Sequence, residues 1–209
     1  MCVRFIMYSH PEDRDEMISE AMRSALAKRF IESGSSVLTS GEIRPTNVVP
    51  VIAPNKEGAR SVFPMRWGFR IPGRSLIVNA RTESAAVKPT FREPWKQHRC
   101  AIPASSYIEW EHLPLPNGKT RTGDKFSIHP ADEPVTWLCG LYRIEEGLPV
   151  FTILTREPSD PVRQIHDRMP LILPGDLIDD WISPDRRAED MLEYAVTDLV
   201  LDRMGGTEA

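Results

Sequence analysis

Short apolar runs, three to nine residues long and bounded by turn residues, recur along most of the chain. Runs of this length with β-branched and aromatic residues are typical of strands. Proline cannot donate to a ladder, so Pro50 and Pro64 predict sheet edges or bulges. Residues 113–124 are predicted to form an exposed loop, and residues 145–147 the turn of a hairpin. The predicted strands are residues 2–8, 47–53, 61–69, 75–79, 99–103, 106–110, 125–129, 135–143, 148–155 and 171–173.

Helical spacing is found mainly near the two ends of the chain. Apolar residues recur every four positions from Met17 to Phe30. This spacing predicts an amphipathic helix that begins at the capping-box pair Ser9 and Glu12 and ends before Gly34. Further helical segments are predicted at residues 91–97, 159–165, 176–182 and 185–192.

Strands and helices do not alternate as βαβ units do, and no internal repeat or linker divides the chain. We therefore expect an α+β fold: a single strand-rich domain over residues 1–209, with peripheral helices and a helical tail at 183–209. Hydrophobic residues make up 41% and charged residues 27%, which is typical of one soluble domain. Without a membrane-length apolar run or a secretory signal, a cytoplasmic protein is expected, nucleoid-associated if bacterial.

Charge and cysteine usage narrow the function classes only slightly. The net charge of −4 does not indicate a nucleic-acid-binding protein, but six arginines lie between positions 66 and 99. This distribution is compatible with a basic face and equally with an ordinary solvated surface. Three cysteines are an odd number without metal-ligand spacing. Neither a disulfide framework nor a metal site is therefore predicted.

The second residue, Cys2, gains a second nucleophile if Met1 is removed. Its α-amine, with a reference pKa of about 8, then lies beside its thiol, with a reference pKa of about 8.5. A cysteine elsewhere in a chain offers the thiol alone. A buried N-terminal cysteine would have the same sequence, so Cys2 by itself does not distinguish the two interpretations.

Polar residues stand at several positions where packing alone does not require them. Asn79 ends an apolar run, Glu109 lies between Ile108 and Trp110, and His166 precedes a short apolar strand. Each has a structural explanation: a cap, a salt bridge to an arginine, or a turn histidine. A cysteine, a carboxylate, a histidine and an amide together could supply nucleophile, acid/base and orienting groups.

These residues belong to an ordered set of motifs that covers roughly residues 2–182. The motifs are Met1-Cys2-x-Arg4-Phe5, Arg44-Pro45, Arg66-Trp67-Gly68-Phe69, Asn79-Ala80-Arg81-Thr82-Glu83, Arg99-Cys100-x-Ile102-Pro103-Ala104, Tyr107-x-Glu109-Trp110 and His166-Asp167-Arg168-Met169-Pro170. In this order they resemble the SOS response-associated peptidase (SRAP) family of abasic-site-crosslinking proteins.

The resemblance implies a β-rich domain with a pseudo-barrel core and a role in the DNA damage response. Such a protein captures abasic sites in single-stranded DNA through a thiazolidine that uses both nucleophiles of Cys2. Abasic-site lyase activity and self-removal of Met1 are implied as well. Glu109 would act as acid/base beside the amine and in Met1 removal. His166 would move protons at the sugar, and Asn79 would hold the sugar or imine.

The resemblance also assigns residues to DNA binding. Arg4, Arg81 and Arg168 would bind phosphates that flank the lesion. Pro45 and Trp67 would pack against DNA or shape its groove, although Trp67 also suits a core position. The expected partner is single-stranded DNA with abasic sites, bound by a monomer, and no cofactor or metal is expected.

Two alternatives remain open at this point. A glutamine amidotransferase also begins with a nucleophilic cysteine, but Val3 replaces the glycine that follows it there, and the Asn79-Ala80-Arg81 and His166–Pro170 motifs disfavour this class. A binding module that holds single-stranded DNA, with Cys2 buried and Met1 retained, is the non-enzymatic alternative. The mass of the intact protein would show whether Met1 is present.

Overall fold

Strands dominate the part of the chain that a computed structural model of the protein describes, residues 2–8 and 19–205. The strands are β1 (Arg4–Met7), β2 (Glu42–Ile43), β3 (Val48–Pro54), β4 (Arg60–Trp67), β5 (Asn79–Arg81), β6 (Arg99–Pro114), β7 (Thr120–Pro130), β8 (Thr136–Glu145), β9 (Leu148–Arg156), β10 (Met169–Pro170) and β11 (Leu199–Met204). The helices are α1 (Ala25–Glu32), α2 (Thr82–Ala85), α3 (Arg92–Gln97), α4 (Asp160–Arg163), α5 (Ile178–Ile182) and α6 (Ala188–Met191). No helix in these ranges is both long and apolar enough to cross a membrane.

A closed barrel of five strands forms the centre of the fold. β3 pairs with β4, β4 with β9, β9 with β8, β8 with β6, and β6 returns to β3. Aromatic side chains fill the interior. The Trp67 ring stacks on Phe151 with centroids 6.1 Å apart and tilts against Phe5 at 5.3 Å. These rings are buried, so they contribute both apolar area and specific ring contacts to the core.

The first strand brings the start of the chain to the middle of β6. β1 pairs with β6 on one side, with Arg4 opposite Ile108 and Phe5 opposite Tyr107. On its other side β1 pairs with β2. Cys2 lies two residues before β1, near the part of β6 that carries Glu109.

A second apolar cluster lies between the outer face of the sheet and helices α3 and α5. Trp95 of α3 meets Trp181 of α5 edge to face, with centroids 6.3 Å apart. Arg99, at the start of β6, is 1% exposed and donates hydrogen bonds to backbone carbonyls of both helices. This arginine therefore joins the two helices to the barrel.

The predicted fold class is confirmed: the protein is a strand-rich α+β domain with a barrel core and a few helices. The strands predicted at 2–8, 47–53, 61–69, 135–143 and 148–155 match β1, β3, β4, β8 and β9 within a few residues. The predicted hairpin is present, with Glu145 opposite Leu148. Its turn residues Glu146 and Gly147 have positive φ values of 51° and 75°.

The prediction that Pro50 and Pro64 mark edges or bulges is wrong. β3 lies between β4 and β6, and β4 lies between β3 and β9. The two prolines are directly opposite each other in the β3–β4 ladder. The second ladder of each strand is short, registered at Ile52 in β3 and at residues 66–67 in β4, so neither proline has to donate there.

Other segments also differ from the predictions. The strand predicted at 171–173 is reduced to an isolated bridge between Ile172 and Leu138, and the preceding residues Met169–Pro170 form β10 instead. Residues 99–114 form one continuous strand, and residues 120–124 of the predicted loop extend β7, so only residues 115–119 form the turn. The strand predicted at 75–79 begins at Asn79 instead. The tail is not wholly helical, because residues 199–204 form β11 beside β7.

The N-terminal helix is interrupted where a continuous one was predicted. Residues 19–23 are helical, a bend follows at Ser24, and α1 begins at Ala25. The Ser24 hydroxyl accepts a hydrogen bond from the Ala27 amide at 3.1 Å and so caps α1. The predicted capping box at Ser9 and Glu12 lies outside the described residues.

Candidate active site

Cys2 is buried at the start of β1, with none of its surface exposed. Its thiol donates a hydrogen bond to the Arg4 carbonyl oxygen, with the sulfur 3.6 Å away. Burial raises the pKa of the Cys2 thiol well above its ordinary value, and the charge of nearby Glu109 adds to the shift. The thiol therefore stays protonated at neutral pH in this environment.

Asn79 holds the backbone at Cys2. Its Nδ2 donates a hydrogen bond to the Cys2 carbonyl oxygen at 2.8 Å. The parallel pairing of Asn79 with Ile153 of β9 brings the amide to this position. Asn79 Oδ1 is buried and accepts no hydrogen bond from the described residues. The same side chain therefore orients Cys2 and leaves one buried acceptor available.

Glu109 of β6 and His166, in the loop after α4, form a buried acid–base pair. The two residues are 3% and 5% exposed, and Glu109 Oε1 lies 3.9 Å from His166 Nε2. Burial raises the pKa of the Glu109 carboxyl. Burial, followed by the positive charges of the N-terminus and of His112, lowers the pKa of His166 from 6.5 to about 4. Both shifts favour the uncharged form, as desolvation requires.

The other ring nitrogen of His166, Nδ1, has one neighbour that is a hydrogen-bond donor and one that is an acceptor. The Arg168 backbone N–H donates to Nδ1 at 3.0 Å, whereas an oxygen of the Asp167 carboxylate lies 2.8 Å from the same atom. The Asp167 side chain is 80% exposed and can turn into solvent, but the backbone N–H is held in place. Neutral His166 therefore accepts at Nδ1 and carries its proton on Nε2, which faces Glu109.

The four residues predicted to carry chemistry thus lie together, since Asn79 contacts Cys2, Glu109 faces His166, and the charge of Glu109 acts on the Cys2 thiol. A cleft of about 560 Å³ opens beside His166. Its lining residues are His112, Thr120, Glu157, Pro158, Arg163, Gln164, Ile165, His166, Asp167 and Arg168.

Arg4 lies in a cluster of cations around one carboxylate. Its guanidinium pairs with Glu42 at 2.6 Å and lies 5.0 Å from the centroid of the Trp110 ring. Arg44 and Lys125 also bind Glu42, at 3.0 Å and 3.2 Å. Burial acts to raise the pKa of the Glu42 carboxyl, but hydrogen bonds from the three cations outweigh it and lower this pKa. The cluster keeps an excess of positive charge next to Cys2.

The other two predicted phosphate-binding arginines differ from each other. Arg81 is exposed. Arg168 is 8% exposed, and its guanidinium binds both carboxylate oxygens of Glu83, at 2.6 Å and 2.9 Å, and the Thr155 carbonyl at 2.7 Å. This bidentate pairing lowers the pKa of Glu83. Arg168 therefore has internal partners that a phosphate would have to replace.

The prediction that Trp67 packs directly against DNA is not compatible with the structure. Trp67 is fully buried, and its Nε1 donates to the Val78 carbonyl at 2.9 Å. The ring belongs to the barrel core, as the second interpretation of this position in the sequence, a core residue, had it. Pro45 is partly exposed in the turn before β3, next to exposed Arg44, so a surface contact there is sterically open.

Sequence reasoning missed several residues of this region. Glu42 and Lys125 come from separate strands and carry no motif, so only the sheet pairing brings them to Arg4. His112 lies three residues after Glu109, a spacing that puts side chains on opposite faces of a regular strand, so the sequence did not indicate it; the structure has a register shift between Trp110 and His112. The buried hydroxyl of Tyr107 has no hydrogen-bond partner in the described part of the chain.

A strand-rich barrel with a buried cysteine at position 2, beside an amide, a carboxylate and a histidine, defines a class of protein whose candidate site is built around that cysteine. Comparison with family models agrees with this class. The model described as SOS response associated peptidase (SRAP) matches residues 1–204, and the chain belongs to this family.

Similar proteins extend over nearly the whole chain. The abasic site processing protein YoaM of Bacillus subtilis is 30% identical over 215 residues, with 98% of this chain and 88% of YoaM covered. The abasic site processing protein YedK of Escherichia coli is 26% identical, with 96% and 87% covered. A crystal structure of a Bacteroides thetaiotaomicron protein has the same fold, with a TM-score of 0.72 at 19% identity over 98% of this chain and 93% of the other.

Proposed function

We propose that this protein captures abasic sites in single-stranded DNA covalently, through Cys2 freed of Met1. The observation that carries the proposal is the junction of Cys2, Asn79, Glu109 and His166 at the start of β1. The names of the similar proteins, abasic site processing proteins, support it. The DNA partner follows from the same names, and the monomeric state and cytoplasmic location remain our expectations.

The chemistry uses the two nucleophiles of Cys2 in turn. A ring-opened abasic site carries an aldehyde, with which the α-amine condenses to an imine and releases water. The thiol then adds to the imine carbon, its sulfur forming the new C–S bond and its proton passing to the nitrogen, which closes a thiazolidine. Because burial keeps the thiol protonated, the amine attacks first and the thiol follows.

Neighbouring groups serve each step. Glu109, whose pKa is raised by burial, takes a proton from the attacking amine and returns it to the departing water. His166 moves protons at the sugar. Asn79 Oδ1 is positioned as a buried acceptor for an N–H or hydroxyl of the intermediate. The imine also permits β-elimination of the 3′ phosphate, which is a lyase activity, and Glu109 beside Cys2 is suited to self-removal of Met1.

DNA would reach this site across the cation cluster and the cleft. Arg4, with Arg44 and Lys125 around Glu42, offers positive charge beside Cys2. Exposed Arg81 offers a further phosphate contact on the side of β5. An abasic nucleotide lacks its base, so its sugar is narrow enough to approach a buried cysteine that an intact nucleotide would not reach.

The decisive experiment is a denaturing gel with a single-stranded oligonucleotide that contains one abasic site. Wild type is expected to form an adduct that resists denaturant, and Cys2→Ala to form none. Cys100→Ala, which removes another buried cysteine, is the matched control and should react like wild type. Equal adduct from wild type and Cys2→Ala would refute the mechanism. Intact mass measured in parallel shows whether Met1 has been removed.

A further inference from the structure

Tyr107 of β6 carries a buried hydroxyl inside the barrel, close to Cys2. The residue lies opposite Phe5 in the β1–β6 ladder, and its side chain belongs to one buried cluster with Cys2, Phe5 and Trp67. Tyr107 and Cys2 are both fully buried. Burial raises the pKa of the Tyr107 hydroxyl, and the charges of Cys2 and Glu109 add to the shift. The hydroxyl is therefore within electrostatic range of both side chains.

The Tyr107 hydroxyl is not explained by packing. A buried tyrosine hydroxyl ordinarily has a hydrogen-bond partner, but this one has none in the described part of the chain. Phenylalanine would fill nearly the same volume without a polar atom to desolvate. An unpartnered buried donor beside a reactive cysteine points to a partner that arises during the reaction.

We propose that the Tyr107 hydroxyl donates a hydrogen bond to the Cys2 sulfur while the thiazolidine closes, and so stabilises the negative charge that develops there. The inference rests on the proposed function, because the sulfur gains that charge only in this step. The C–S bond forms at the imine carbon, the S–H proton passes to the imine nitrogen, and Tyr107 keeps its own proton. In reversal the C–S bond breaks and the N–H proton returns to the sulfur, with the same donor in place.

The neighbouring groups leave this role to Tyr107. The Cys2 thiol directs its proton to the Arg4 carbonyl oxygen, with the sulfur 3.6 Å away, so the lone pairs of the sulfur can accept from another group. Asn79 Nδ2 already donates to the Cys2 carbonyl, and Glu109 serves the amine. Because its pKa is raised, the Tyr107 hydroxyl stays protonated and acts as a donor. A fixed donor in a site without water stabilises developing charge effectively.

The test separates imine formation from ring closure in Tyr107→Phe. Samples from a single turnover with the abasic oligonucleotide are quenched in denaturant alone, which retains the thiazolidine, or in borohydride, which also traps the imine as a stable amine. Tyr107→Phe should form the imine at the wild-type rate and close the ring about tenfold more slowly, a modest part of the usual cost of removing a fixed donor. Reversal of the purified adduct should slow by a similar factor.

Tyr142→Phe is the matched control. It also removes one phenolic hydroxyl, but from a ring that packs against His98 at the start of β6, and it should react like wild type. A second comparison removes the sulfur: imine formation, trapped with borohydride, should be equal in Cys2→Ser with and without Tyr107→Phe. Neighbouring changes that act through one interaction are recognised by such non-additivity.

The outcomes separate this role from packing and from the proposed function. Tyr107→Phe should melt at or above the wild-type temperature, because it removes an unpaired buried hydroxyl; a lower melting temperature would reveal a structural partner and overturn the inference. A wild-type rate of ring closure, or slower imine formation in the Cys2→Ser background, would overturn it too. In each case adduct formation by wild type leaves the proposed function standing. Absence of any adduct from wild type would instead refute the proposed function itself.

Discussion

Replacement of Arg99 by methionine removes the charged group that joins α3 and α5 to the barrel. In wild type the guanidinium lies 5.4 Å from the centroid of the Trp181 ring and donates only to backbone carbonyls. Its acceptors are the carbonyls of Trp181 at 2.6 Å, Arg186 at 2.7 Å, Trp95 at 2.9 Å, Lys96 at 3.1 Å and Ser183. Those of residues 95, 96 and 181 lie in the last turns of α3 and α5, where the helix dipole favours a cation.

The expected loss can be worked out from these contacts. Methionine retains most of the buried apolar volume, so the cavity contribution is small. The five carbonyls lose the guanidinium donor, although the Ser183 carbonyl keeps the Arg186 backbone N–H at 3.2 Å, and each buried carbonyl left unsatisfied costs about 1–3 kcal/mol. The variant recovers the cost of burying a guanidinium, which offsets a large part of that sum. We expect a net loss of about 3–5 kcal/mol, and thus a melting temperature lower by about 6–20 °C for a chain of this length.

Urea unfolding and thermal melting of both proteins measure this loss directly. Arg92→Met on the exposed side of α3 is the matched control and should change stability by less than about 0.5 kcal/mol. If Arg99→Met lowered the free energy of unfolding by less than about 1 kcal/mol, the hydrogen bonds of the Arg99 guanidinium would not stabilise the fold as argued. Adduct formation by the variant at low temperature should be retained, because Arg99 does not belong to the candidate site.

Three further predictions concern charged groups near the site. Glu109→Gln should abolish adduct formation. It should also gain about 1 kcal/mol of stability at pH 8, where the folded wild type must bury a charged carboxylate, and nothing at pH 4, where the wild-type carboxyl is mostly protonated in both states. Equal gains at the two pH values would contradict the raised pKa. Wild type should lose stability as the pH falls from 6.5 towards 4. In this range position 166 takes up a proton in the unfolded state, where its pKa is ordinary, but not in the folded state, where its pKa is about 4. The free energy of unfolding of His166→Gln, measured with denaturant, should therefore decline less steeply over the same range. Glu42→Gln should bind single-stranded DNA about two- to fivefold more tightly at low salt in fluorescence anisotropy, because one competing carboxylate is removed, and weaker binding would show that Glu42 organises its cations instead.

The parts of the fold that hydrophobic patterning predicted are those that bury apolar side chains. β8 and β9 are largely apolar: β9 is buried along all but its last residue, and β8 is buried from Leu138 to Leu141. The segment Thr120–Asp124 was not predicted as a strand because both of its faces are polar and largely exposed. It is a strand only through its backbone pairing with β6. β11 was missed for a related reason: it is a short strand whose place depends on pairing with β7.

The candidate site was predicted through its motifs, and its geometry required the structure. Residue type and order suggested Cys2, Asn79, Glu109 and His166, but not that Asn79 binds the Cys2 backbone. The arginines of the motifs were indistinguishable in the sequence. Long-range pairing places Arg4 on Glu42 and buries Arg168 against Glu83, and no local pattern encodes either contact. Partners distant in sequence were therefore the unpredictable part of the site.

The position of β1 between two neighbours has a mechanical consequence. On the proposed chemistry, a DNA strand joined to Cys2 is attached to the end of a strand that hydrogen-bonds to β6 on one side and β2 on the other. A helicase or polymerase that pulls on the DNA would apply force to β1 along the strand direction. The backbone hydrogen bonds to β2 and β6 would then be loaded together, in shear, and would not open one at a time. The adduct would thus withstand traction, and its removal would require chemical reversal or proteolysis rather than force.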